Sequence, residues 1–317
     1  MEMKKNIGKR RRETSEYDSA WKDVIEEHFE AFLEFFFPDI HKDIDFSKGY
    51  DFLSKELRKI APDGKVGKRY ADVLVKVHLK DGSEKCICVF IHIEVQGTKD
   101  PHFMVRIFVY HYRIFDKYHD QGVEVISLAI LTDEDESYRP DEYNTKRWGF
   151  EHRMKIPMVK IIDYKNNKEL KDKLETSLNP MAMVVKVQLK SYEMKKADND
   201  RKSIIKKELI RECYKQGYEK GQIRSLLRFI DWIIRLPEGL QNKLTQEINK
   251  IEEEYKMPYV TSWERSGLKK GREQGLKEGV KKGKLETAKR MLNDDLSIET
   301  ITKYTGLTEV EIKALMN

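Results

Sequence analysis

The sequence predicts an α/β core, a mixed sheet flanked by helices, followed by an all-α C-terminal region. Three observations predict it. Two runs rich in β-branched residues, 71–78 and 86–96, are joined through Asp81-Gly82, a pair suited to the positive φ angles of a tight hairpin. Helical spacing of apolar residues brackets that hairpin at 19–37 and 103–118. Beyond Tyr164 almost every stretch carries helical spacing.

Taken in order, residues 1–16 are polar and basic and read as a flexible arm. Lys9-Arg10-Arg11-Arg12 within it suits either phosphate contact or plain solvation. From 19 to 37, Trp21, Val24, Ile25, His28, Phe29, Phe32, Leu33 and Phe36 share one helical face. Glu26, Glu27, Glu30 and Glu34 take the other. Asp18 or Ser19 can cap this helix, and Pro38 is expected to stop it.

Alternate residues of a strand share a face, so His92, Glu94 and Gln96 point one way and Ile91, Ile93 and Val95 the other. A carboxylate and an amide on a core strand cost stability unless they are paired or bind something. Asp72 arrives on the partner strand, so the hairpin can bring two carboxylates and an amide together. Two neighbouring acids commonly hold a divalent cation.

A loop over 97–101 leads to the 103–118 helix, along which Arg106, Tyr110 and Arg113 are spaced; they can line core packing or, for Arg106, meet phosphate. The apolar run 123–131, between Gly122 and Asp133, predicts a buried strand. Residues 134–147 read as irregular, 148–154 and 157–164 as a strand pair, and the core as ending near Tyr164.

Helices follow over 166–195, with a break at Asn179-Pro180, then over 201–236 and 239–255, separated by Pro237. Gly267, Gly271, Gly275, Gly279 and Gly283 recur at every fourth residue. Each costs up to about 1 kcal/mol inside a helix, so either a close helix partner or a frayed connector is implied. Lys269, Lys270, Arg272, Lys277, Lys281, Lys282 and Lys284 make this a basic stripe, fit to lie along DNA or to be solvated. Residues 297–312 have the rhythm of a helix-turn-helix, but Thr308-Glu309-Val310-Glu311 opens the second helix with acids. That favours a capping or dimerising unit over a major-groove reader. The segments are therefore 1–16, a 17–165 core, a 166–262 helical region and a 263–317 terminal region.

Asp72, followed after the hairpin by Glu94-Val95-Gln96, resembles the Asp…Glu-x-Lys signature of PD-(D/E)XK nucleases, with glutamine for lysine. More narrowly the chain resembles bacterial Rpn-family recombination-promoting nucleases, a family also described as transposases. The likeness includes Asp18-Ser19-Ala20-Trp21-Lys22, Phe35-Phe36-Phe37-Pro38, His92-Ile93-Glu94-Val95-Gln96, Arg106-Ile107-Phe108-Val109-Tyr110 and Met257-Pro258-Tyr259-Val260-Thr261-Ser262. The resemblance implies a PD-(D/E)XK, restriction-endonuclease-like core and Mg²⁺- or Mn²⁺-dependent cleavage of double-stranded DNA, linked to recombination. Asp72, Glu94 and Gln96 would be its catalytic residues. Asp72, Glu94 and the Val95 carbonyl would be metal ligands, with Glu26 a further candidate from the first helix and Asp18 or Glu56 alternatives. Arg106, Lys269, Lys270, Arg272, Lys281 and Lys282 would contact nucleic acid. Nothing in the chain points to strand transfer rather than cleavage. Gln96 can orient a water but cannot stabilise anionic charge as lysine does. A degenerate nuclease fold that binds DNA, or an interaction protein acting through its helical C-terminus, are the competing readings.

Composition sets the remaining bounds. Of 317 residues, 37% are charged and 39% hydrophobic, and no run nears the roughly 20 apolar residues of a membrane span. The basic start lacks the apolar segment of a secretory signal. Three cysteines give neither a disulfide framework nor a zinc spacing, so a reduced cytoplasm is expected. A net charge of +6 permits a polyanionic partner. Homo-oligomers would form through the C-terminal helices.

Overall fold

The computed structural model describes residues 20–53, 73–80, 88–255, 283–288, 290–292, 294 and 296–313. The chain divides into two compact units, 1–257 and 258–317.

In the first unit the helix predicted over 19–37 is two helices. The turn at His28 separates α1 (20–27) from α2 (Phe29–Phe36). Pro38 does not simply end the run. Its fixed φ suits a first helical position, and it opens α3 (Pro38–Asp43). Strands β1 (Asp51–Phe52), β2 (Val73–His78) and β3 (Cys88–Gln96) pair antiparallel. Helix α4 (Phe103–Tyr118) then crosses back, so that β4 (Glu124–Leu131) lies parallel to β3. A short β7 (Met158–Lys160) adds in parallel, giving the order β1-β2-β3-β4-β7.

The face of the sheet beneath α4 is built from residues two apart. Leu74 of β2 and Val125 of β4 pack on Ile114, and Ala129 and Leu131 pack on Phe103, Met104 and Ile107. The alternate set, Val73, Val75, Ile91, Ile93 and Val95, is buried as well. With apolar residues on both faces, β2 and β3 are central strands.

Residues 142–155 differ from the predicted arrangement. They form a two-stranded antiparallel hairpin of β5 (Glu142–Arg147) and β6 (Phe150–Lys155). Trp148 and Gly149, read from sequence as the start of a strand, are its turn. Their φ angles, +51° and +84°, are the consecutive positive pair of a type I′ turn. The segment 161–164 is the entry to α5 (Asp163–Asn166), not a strand.

The helices that follow are α6 (Lys168–Thr176), α7 (Pro180–Glu193), α8 (Asn199–Lys215), α9 (Lys220–Ile233) and α10 (Glu238–Glu254). They share a unit with the sheet and pack on α1 and α2. Trp21 Nε1 donates to Gln188 Oε1 at 3.0 Å and its ring meets Phe229 edge-on at 5.6 Å. Tyr164 stacks on Phe35. Within α8, the buried Lys206 ammonium is held by the Ile234 carbonyl at 2.7 Å and by Asp231 at 2.8 Å.

In the second unit, α11 (Ile298–Thr305) ends at Gly306, whose φ of +66° is the left-handed cap of a helix terminus. The chain resumes in α12 (Glu309–Lys313), and Ala288, Ile301, Leu307 and Ile312 form a small core. The acidic opening of α12 has a structural part to play. Glu311 accepts from the Thr308 amide at 2.9 Å while Thr308 Oγ1 accepts from the Glu311 amide, a capping box. Among the described residues no helix is long and apolar enough to cross a membrane.

Candidate functional site

His92 and Gln96 of β3 lie on the face covered by α4. His92 is fully buried, and its register partner on β4 is Ser127. The Ser127 hydroxyl lies 3.4 Å from His92 Nδ1 and 3.2 Å from His111 Nδ1, between two imidazoles. Burial pushes the His111 ring below the ordinary histidine range, and the neighbouring His92 and His152 push the same way.

Four residues further along β3, Gln96 is also fully buried, and both ends of its amide are engaged. Its Nε2 donates to the Thr98 carbonyl at 2.5 Å, and its Oε1 accepts from Arg106 Nη2 at 2.6 Å. Arg106 Nη1 reaches the Asp100 carboxylate, and the guanidinium lies 5.3 Å from the Phe103 ring centre. Arg106 is 3% exposed. It therefore turns inward from α4 onto the end of β3 instead of presenting its charge at the surface to phosphate.

The network continues across the carboxyl ends of the parallel strands. Tyr138 donates its hydroxyl proton to the Asp100 carbonyl at 2.8 Å and accepts from the Asp100 amide. Burial raises the Tyr138 phenol to about 12. Lys160, buried at the end of β7, donates to Asp133 Oδ1 at 2.6 Å and to the Tyr138 carbonyl at 3.2 Å. Asp133 Oδ2 is buried without a hydrogen-bond partner among the described residues. Gln96, Leu131 and Lys160 share one rung of the sheet, so Gln96 and Lys160 flank Leu131 on one face. The carboxyl edge of parallel strands is where open α/β sheets usually place their sites.

Asp100, Asp133, Tyr138 and Lys160 escaped the reading of the sequence. A lysine inside the apolar run Met158-Val159-Lys160-Ile161-Ile162 was the available signal, since a buried ammonium needs a carboxylate partner.

The predicted site residues are distributed as follows. Asp72, Lys269, Lys270, Arg272, Lys281 and Lys282 lie outside the described residues, as do Asp18, Glu56 and the arm 1–16. Glu94 is described for its backbone, which pairs with Ala129 between the positions of His92 and Gln96. Val73, the neighbour of Asp72 in the chain, pairs with Ile93, the neighbour of Glu94. Val95 is buried and pairs with Ile130. Glu26 forms an ion pair with Lys22 one turn away at 3.5 Å. Among the described residues no three His, Cys, Asp or Glu side chains converge as a metal cage. Comparison with protein families, with curated proteins and with solved structures gives no match for this chain.

Proposed function

We propose that the chain is a divalent-metal-dependent DNA endonuclease with a PD-(D/E)XK-like core, acting on double-stranded DNA in a bacterial cytoplasm. The observation that carries the reading is the antiparallel register Val73↔Ile93, which joins the neighbours of Asp72 and Glu94. The element order supports it too: a helix, three antiparallel strands, the crossing helix α4 and the parallel β4 follow the order expected from the resemblance.

In this reading Asp72, Glu94 and the Val95 carbonyl would hold Mg²⁺ or Mn²⁺, with Glu26 a further candidate. The bound ion would activate water and neutralise phosphate charge. Within the chain, Arg106 fixes the Gln96 amide, and His92 and Gln96 are buried beneath α4. The assay is incubation of the purified protein with supercoiled DNA under Mg²⁺, Mn²⁺, Ca²⁺ or EDTA. Nicking should follow Mg²⁺ or Mn²⁺, stay low with Ca²⁺, whose looser coordination misplaces the water, and vanish in EDTA. Nicking undiminished by EDTA would refute it.

One observation favours a second reading, a degenerate nuclease fold that binds DNA without cutting it. Gln96 is buried and both ends of its amide are hydrogen-bonded within the chain, so as placed it is held by Thr98 and Arg106 and is not turned to solvent. Metal-dependent cleavage against metal-independent binding separates the two.

A further inference from the structure

The β5–β6 hairpin carries an arrangement that the sheet and its site leave unused. Its root is packed: Tyr143 stacks on Phe108 of α4 at 4.9 Å, and His152 meets the same ring at 4.8 Å. Strand pairing places Tyr143, Thr145, Arg147, Phe150, His152 and Met154 on one face, so that an aromatic face runs from a packed root to a bare tip. At the tip Trp148 is 94% exposed and Phe150 62% exposed. From the Thr145–His152 rung, three residues at about 3.3 Å each carry Trp148 about 10 Å beyond the packed His152.

Folding does not explain the tryptophan. The first position of a type I′ turn favours asparagine, aspartate or glycine, because an L side chain with φ of +51° crowds the backbone. Trp148 bears that cost with almost no burial in return; the Arg147 guanidinium lies over its ring at 5.3 Å. Strain held at an exposed aromatic ring points to a ligand. The surrounding charge indicates which kind. Lys146, Arg153 and Lys155 are paired with Glu151, Glu142 and Asp141, which leaves Arg147, beside Trp148, as the cation at the tip.

We propose that the tip of this hairpin binds unpaired bases of DNA, with Trp148 and Phe150 as stacking platforms and Arg147 meeting the backbone phosphate. The inference rests on the reading that DNA is this chain's substrate, and adds where the strand is gripped. Stacking on an aromatic face is tolerant of base identity and needs only one ring face per base. A lipid surface fits less well. Arg147 stands opposite Phe150 and the Lys146–Glu151 ion pair, 3.0 Å long, occupies the next rung, so the apolar tip is Trp148 and Phe150 alone.

The test uses the full chain in EDTA, so that binding is read without cleavage, and a short fluorescein-labelled single-stranded oligonucleotide. Trp148→Asn suits the turn and should keep or raise the melting temperature while weakening binding roughly tenfold. Trp148→Phe keeps a ring and should retain most of the affinity. Wild-type affinity in both Trp148→Asn and Phe150→Thr overturns the proposal. So does loss of phosphatidylserine-vesicle binding, or of self-association, with DNA affinity intact. Cleavage of supercoiled DNA is scored separately. Metal-dependent nicking by a wild type whose affinity ignores Trp148 defeats the hairpin alone. Trp148-dependent binding without nicking defeats the nuclease reading alone.

Discussion

Arg106 and Gln96 meet at 2.6 Å beneath α4, a guanidinium on a neutral amide, with Asp100 closing the far side of the guanidinium. The charge on α4 is thereby fixed to the last residue of β3. A buried arginine serving two acceptors positions the strand end, and its removal takes from both the donor they share.

Arg106→Met should therefore cost about 3 kcal/mol, since it leaves the Asp100 carboxylate and the Gln96 oxygen without the donor they share. Urea denaturation of the purified variant measures this. A loss under about 1 kcal/mol would mean the guanidinium contributes no more than an exposed pair.

Stability should fall on the acid side of neutrality. Burial depresses the His111 ring, and burial also depresses His28 against the opposing charge of Glu27. Folded-state values below the unfolded one mean that the folded chain binds fewer protons than the unfolded chain. The contribution is complete above about pH 6.5 and is lost as the pH falls below that value and through the folded-state values. The urea midpoint should drop between about pH 7.5 and about pH 5.5, and drop less in His111→Gln, which keeps a polar group near Ser127. An equal drop in variant and wild type would remove His111 from the account.

The division at Met257 predicts a separable terminal unit. A chain ending at Met257 should stay folded and retain cleavage on saturating DNA, with DNA affinity or self-association reduced. Loss of chemistry at saturation, in a folded protein that binds normally, would place the bond-breaking machinery beyond Pro258.

Elements with one dominant period were legible in the sequence. The expected 103–118 helix is α4, and the 123–131 run holds β4. Both bury a continuous apolar face, and burial writes the period. The hairpin 142–155 was misplaced because its strands are largely exposed, so burial imposes little pattern on them, while tryptophan is not a turn residue. Pro38 was read as a stop because proline ends helices, yet it also opens them. On the site, pattern identified Gln96 and Arg106 but not that they bond. Asp133 and Lys160 sit 27 residues apart, and only the parallel pairing of β4 with β7 joins them.

The most direct test of the metal-site claim compares thermal unfolding with and without Mn²⁺ in the wild type, Asp72→Asn and Glu94→Gln. Two carboxylates gathered for a cation repel one another when it is absent, and a metal stabilises only the state that binds it. The account predicts a Mn²⁺-dependent rise in wild-type melting temperature that both variants lose together with nicking of supercoiled DNA. Their metal-free melting temperatures should equal or exceed that of the wild type. No Mn²⁺ shift in the wild type, with a large loss of metal-free stability in Glu94→Gln, would contradict it.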